Sequence, residues 1–179
     1  DALPPAPAAP DRGEPRVVRY FRVPEGRPVI VAGSTMRGEE SLVLRAFERL
    51  QGLPQVQGSS IGVIGFSMGG HWALWLAANR PELRLAAVTT FYGARAGDYS
   101  ASPAAFQGHF AERDPWVSDS ALKKLRQSLE QAPRGAEVHV YPGTGHWFFE
   151  SDRHEAYQRQ AAELAWGRTV AFLRKNLKR

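Results

Sequence analysis

The 179-residue sequence contains no cysteine, so neither a disulfide framework nor a thiolate-bound metal holds it together. A chain of this length can bury roughly two-thirds of its unfolded surface, enough for the fold to stand on its core alone. The lack of cysteine suits oxidising and reducing surroundings equally and leaves the compartment open, cytoplasmic or secreted. No apolar stretch approaches the roughly 18 residues that a membrane span requires. The longest runs, at residues 28–32, 61–66 and 85–92, are strand-sized. There is no HExxH, no close histidine pair and no GxxxxGK, and Gly143-Thr144-Gly145 lacks a third glycine. Neither a metal nor a nucleotide cofactor is therefore expected. The sequence opens on Asp1, with no charged segment leading into an apolar signal region, which reads as a processed or trimmed start.

What is present describes a globular protein. Hydrophobic residues make up 43% and charged residues 23%, a balance that suits one domain. Lys and Arg exceed Asp and Glu by 23 to 18, giving +5. The arginines are spread from Arg12 to Arg179, with one small cluster at Arg174, Lys175, Lys178 and Arg179. Spread charge of this kind is a solvated surface, and no nucleic-acid partner is expected.

Residues 1–15 carry five prolines among alanines, an extended arm or linker that cannot build a core. Residues 16–179 read as a single domain. Strands are expected at 17–23 and 28–32, and a short amphipathic helix at 39–50 that stops at Gly52 and Pro54. Residues 60–66 form an apolar run without alternation, as in a parallel strand buried on both faces. A helix at 69–79 follows, then strands at 85–92 and 105–110, a helix at 120–132, a strand at 137–141 and a final helix from 154 to 177. Strand alternating with helix means a mostly parallel sheet with helices on both faces, an α/β fold.

The chemistry concentrates at Gly65-Phe66-Ser67-Met68-Gly69, a GxSxG match set between a strand and a helix. That is the setting of a nucleophile elbow, in which a strained turn raises the serine hydroxyl above the sheet. A serine hydroxyl is a weak nucleophile at neutral pH; it needs a histidine to accept its proton and an acid to fix that histidine's tautomer. His109 and His139 fall inside strand patterns and His154 opens a helix, so each reads as a packing or surface residue. His146 follows the glycine-rich stretch 141–145 at the carboxyl end of the last strand, where open α/β sheets place their sites, and is the expected base. Asp114, on the loop leaving the 105–110 strand, is the expected acid. Asp119 is the runner-up, although Ser118-Asp119-Ser120 before a helix reads more simply as a cap. The oxyanion hole needs two N–H donors: Met68 at the helix start is one, and the loop at Gly33 and Ser34 should give the other, Ser34 being favoured.

Residues 61–70, 108–114 and 141–146, with Phe91-Tyr92-Gly93 and 165–169, resemble the dienelactone hydrolases of the α/β-hydrolase superfamily. The resemblance runs from about Val17 to Leu177 and implies Ser67, Asp114 and His146 as nucleophile, acid and base. The founding members use a cysteine where Ser67 stands, so the likeness is to a serine-bearing, esterase-like branch. They also carry a glutamate near the first oxyanion loop and an arginine four residues past the histidine, where this sequence has Gly33 and Glu150. Only about five residues separate Gly33 from the helix near Glu39, too few for the helix and strand that the family places there. The expected architecture is thus α/β-hydrolase-like but lacking one αβ unit, through an omitted segment or a minimal domain.

The activity expected is hydrolysis of a small carboxylic ester or lactone through an acyl-serine, with Phe66, Tyr92, Trp116, Trp147 and Phe148 as an apolar wall for small or aromatic acyl groups. The alternative is a catalytically silent module that keeps the fold and binds a small ligand or a protein partner. The oligomeric state is not legible in the sequence.

Overall fold

A computed structural model describes residues 61–177, together with positions 45 and 49. Both of the latter are helical and fall within the helix expected at 39–50. The arm at 1–15, the strands at 17–23 and 28–32, Ser34 and the short connection at 33–39 lie outside the described residues.

Within the unit Gly58–Arg179, strand β1 (Ile61–Phe66) leads into helix α1 (Met68–Asn79). A single 3-10 turn, Pro81–Leu83, precedes β2 (Leu85–Phe91). Then follow β3 (Ala105–Arg113), α2 (Asp119–Leu129), β4 (Ala136–Gly145) and α3 (Arg159–Asn176). The four strands are hydrogen-bonded in the order β1-β2-β3-β4, all parallel.

Alternation divides the sheet into two faces. On one, Ala87 and Ala105 pack with Phe172, Leu173 and Leu177 at the carboxyl half of α3. Nearer the strand ends, Ile64, Phe66, Phe91, Ala111 and Tyr141 pack with Ala165 and Phe148. On the other face α1 comes so close that a Cβ at Gly70 would stand 2.1 Å from Thr90 Oγ1. Ala73 and Ala77, nearly all buried, keep that contact thin. Helix α2 buries Leu125 and Leu129. Its cap is Ser118, whose Oγ accepts the Ala121 N–H at 3.2 Å, so Asp119 is the first helical residue rather than the cap.

Four boundaries differ from the sequence reading by three residues or more, one of them the end of α2 at Leu129 instead of 132. Strand β3 runs on to Arg113 and β4 to Gly145, because Arg113 and Gly145 still pair after a local shift in register. Helix α3 begins at Arg159 instead of 154. The preceding stretch is held in turns, Glu150 N–H donating to Trp147 O at 2.9 Å and Gln158 N–H reaching back to Phe148 O at 2.9 Å. The fully buried Phe148 pins that loop to the core.

Candidate active site

Register decides which residues meet at the carboxyl ends of the strands. Phe66 pairs with Phe91, so Ser67 and Tyr92 leave the sheet side by side. Arg113 pairs with Gly145, so Asp114 and His146 do the same. Four consecutive strand ends thus deliver four side chains to one rim.

Ser67 sits at φ 51°, ψ −117°, a region that non-glycine residues occupy only when the surrounding structure enforces it. The enforcement is visible. Its N–H donates to Phe91 O at 2.9 Å. A Cβ at Gly65 would meet Gly69 O at 2.3 Å, and one at Gly93 would meet Ser67 O at 2.3 Å. Ser67 precedes α1 in the position of a capping residue, yet it makes no side-chain cap. Its Oγ lies instead 2.9 Å from His146 Nε2. The first N–H groups of α1, Met68 foremost, belong to the helix end whose donors have no intrahelical partner and carry partial positive charge.

His146 Nδ1 donates to Asp114 Oδ2 at 2.7 Å, with both side chains almost fully buried. Asp114 Oδ1 accepts the N–H groups of Trp116 at 2.9 Å and Val117 at 3.1 Å. These two bonds fold the loop after β3 around the carboxylate. With Nδ1 donating, Nε2 is the acceptor that faces the serine hydroxyl. The end of β4 is tied to its neighbour by Gly143 N–H on Glu112 Oε2 at 2.8 Å and internally by Thr144 Oγ1 on Tyr141 O at 2.8 Å.

A cleft of about 360 Å³ opens over Ser67 and His146, walled by Met68, Trp72, Tyr92 and Trp116. Of the expected wall, Tyr92 and Trp116 line it. Phe66 does not: it packs against the core, stacked 4.7 Å from Phe91 and tilted against Phe149 at 5.4 Å. Phe148 is also core. Trp147 stands behind the rim, 4.6 Å from Trp116. Among the lining residues that escaped the sequence reading, His71 and Trp72 are the largest. They are the fourth and fifth residues after Ser67, and helical periodicity from the serine is the signal that points to them. His71 Nδ1 donates to Ala94 O at 3.1 Å, and its Nε2 receives Arg95.

The other strand histidines are structural. Gln107 directs its amide N–H to Glu137 at 3.2 Å, so its carbonyl faces His109 and takes the Nε2–H at 3.1 Å. His109 Nδ1 therefore accepts the Tyr141 hydroxyl at 2.8 Å. Burial, then His139 and Arg168, push its pKa down to about 3. Burial also lowers that of His139.

This arrangement of sheet, helices and sharp serine turn is the α/β-hydrolase fold. The structure overlays on a dienelactone hydrolase-like promiscuous phosphotriesterase from metagenomic libraries with a TM-score of 0.66, at 21% identity, over 80% of this chain and 66% of that one. It also matches an α/β-hydrolase enzyme from a Medee basin deep-sea metagenome library, TM-score 0.61 at 21% identity, over 76% and 61% of the two chains. The chain belongs to the dienelactone hydrolase family, whose model matches residues 31–177. A curated relative from Bradyrhizobium sp, "Probable 2-oxo-3-(5-oxofuran-2-ylidene)propanoate lactonase", is 33% identical over 135 residues, 68% of this chain and 53% of the relative. The chain spans about half the length of the curated relatives it matches, 53% and 52% for two of them.

Proposed function

We propose that this protein is a serine hydrolase that opens carboxylic esters or lactones through an acyl-serine intermediate. The observation that carries the reading is the unbroken hydrogen-bonded line from Asp114 through His146 to Ser67 Oγ, set on a strained turn beneath an open cleft. Ser67 Oγ attacks the carbonyl carbon while its proton passes to His146 Nε2. Met68 N–H, at the start of α1, stabilises the oxyanion that forms. The carbon–oxygen bond then breaks and the leaving alkoxide takes the proton from His146; in a lactone that alcohol stays attached to the acyl group. Water, deprotonated by the same His146, attacks the acyl-serine and frees the acid. Asp114 holds the imidazole in the tautomer that both steps use.

Tyr92, Trp72 and Trp116 line the cleft, and an aromatic lining favours small aromatic or unsaturated acyl groups. The lactonase name of the Bradyrhizobium relative accords with an unsaturated lactone. Intact-mass labelling with a fluorophosphonate tests the nucleophile without assuming a substrate. The expected result is one adduct on Ser67, abolished in Ser67→Ala and His146→Ala. A folded wild-type protein that takes no label reverts the reading to a silent, ligand-binding module.

A further inference from the structure

Asp114 fixes His146 at one atom only, Nδ1. A single hydrogen bond leaves the ring free to swing about it, yet Nε2 has to stay within reach of Ser67. Three aromatic rings restrain it: Tyr92 at 4.7 Å, Trp116 at 4.8 Å and Trp147 at 5.0 Å between ring centroids. Two of the three lead to one carboxylate. Glu150 Oε1 accepts the Tyr92 hydroxyl at 3.0 Å, and its Oε2 accepts Arg153 Nε at 2.7 Å. The Arg153 guanidinium in turn lies 4.2 Å from the ring centre of Trp147.

The backbone gives this clamp a purpose. Among the described residues four non-glycine positions have positive φ, and three of them, Ser67, Tyr92 and Trp147, belong to this cluster. Trp147, at φ 65°, directly follows His146. Strained positions of this kind persist only where neighbouring structure over-determines them. Tyr92 and Trp147 are the two rings that the Glu150 carboxylate reaches, one directly and one through Arg153.

We infer that Glu150 is a positioning residue for His146, one carboxylate bracing the rings on two sides of the imidazole. The inference rests on the reading of His146 as the general base. It assigns a role to a position where the sequence, set beside the family resemblance, shows an acid in place of an arginine.

The test is steady-state hydrolysis of p-nitrophenyl acetate by wild type, Glu150→Ala, Glu150→Gln, Tyr92→Phe and the Tyr92→Phe/Glu150→Ala double variant, each checked by far-UV circular dichroism melting. A misplaced catalytic group costs turnover rather than binding. Glu150→Ala is therefore expected to lower kcat about tenfold with KM within about twofold. Tyr92→Phe, which keeps the ring and loses the hydroxyl, is expected to lower kcat in the same sense. Because both changes break one path, the double variant should be no slower than Glu150→Ala alone. Glu150→Gln retains an acceptor for Tyr92 but turns an NH₂ toward Arg153, and should recover only part of kcat. The inference is overturned if Glu150→Ala and Tyr92→Phe turn over at the wild-type rate, if their losses multiply, or if the losses follow the folded fraction. A wild-type protein that neither labels nor hydrolyses removes the parent reading as well, so the two failures are distinct.

Discussion

Asp114 uses both carboxylate oxygens, one for the N–H groups of Trp116 and Val117 and the other for His146 Nδ1. That division makes Asp114→Asn an informative substitution. The Asn carbonyl can keep both backbone bonds, and its NH₂ is then forced toward Nδ1. Nδ1 must become the acceptor, Nε2 carries the proton, and Ser67 Oγ meets a donor where the proposed mechanism needs a base. The expected result is a fall in kcat of about 10⁴-fold, the cost of imposing that tautomer on a serine protease triad, with the melting temperature nearly unchanged. A loss under about tenfold would place Asp114 outside the proton path.

At the scale of elements, the motif around the serine names the wrong second glycine. A Cβ at Gly69 would meet nothing within 4 Å, whereas one at Gly70 would lie 2.1 Å from Thr90 Oγ1. Thr90 Oγ1 donates to the buried Gly93 carbonyl at 2.7 Å, so it cannot turn aside without leaving that oxygen unpaired. Gly70→Ala should therefore destabilise by on the order of 2–3 kcal/mol, and Gly69→Ala, on the open face of α1, should be neutral or stabilise by up to about 1 kcal/mol. Urea denaturation midpoints of the two variants check the ordering, and equal midpoints refute it. The same contrast explains how much of the molecule was legible in the sequence. The apolar runs of β1 and β2 and the helix behind Ser67 follow from local pattern, as do the loop positions of Asp114 and His146. The carboxyl ends of β3 and β4 contain Glu112, Arg113, Gly143 and Gly145, which carry no strand pattern and are drawn into the sheet by their neighbours. Residues 146–158 form a turn-rich loop because Phe148 is buried and Glu150 holds Tyr92 and Arg153, tertiary contacts without a local signature. Phe66, one residue before the serine, points to the opposite side of the strand and so joins the core instead of the cleft.

For the whole molecule, the buried polar chain beneath α3 sets the response to acid. Arg168 donates to the Tyr141 hydroxyl at 3.3 Å, Tyr141 donates to His109, and His109 passes its remaining proton toward Gln107 and Thr169. This network, cationic at Arg168 and neutral beyond it, has no place for a second imidazole proton. Burial chiefly, with His139 and Arg168 adding repulsion, lowers the His109 pKa to about 3 in the folded chain, against roughly 6.5 when unfolded. Between those values the unfolded state binds a proton that the folded state refuses. The stability linked to His109 is thus complete above about pH 6.5 and is lost as pH falls toward about 3, at about 1.4 kcal/mol per pH unit. Other titrating groups act equally on wild type and His109→Gln, so the difference between the two isolates this histidine. His109→Gln should be less stable at pH 7.5, because it surrenders the bonds to Tyr141 and Thr169. Its deficit should shrink by on the order of 1–2 kcal/mol by pH 5, as the wild type alone pays the linked proton. Urea denaturation of both proteins at pH 7.5, 6 and 5 reads this directly, and a deficit that stays constant across the series would show that His109 binds its proton equally in the folded and unfolded chain.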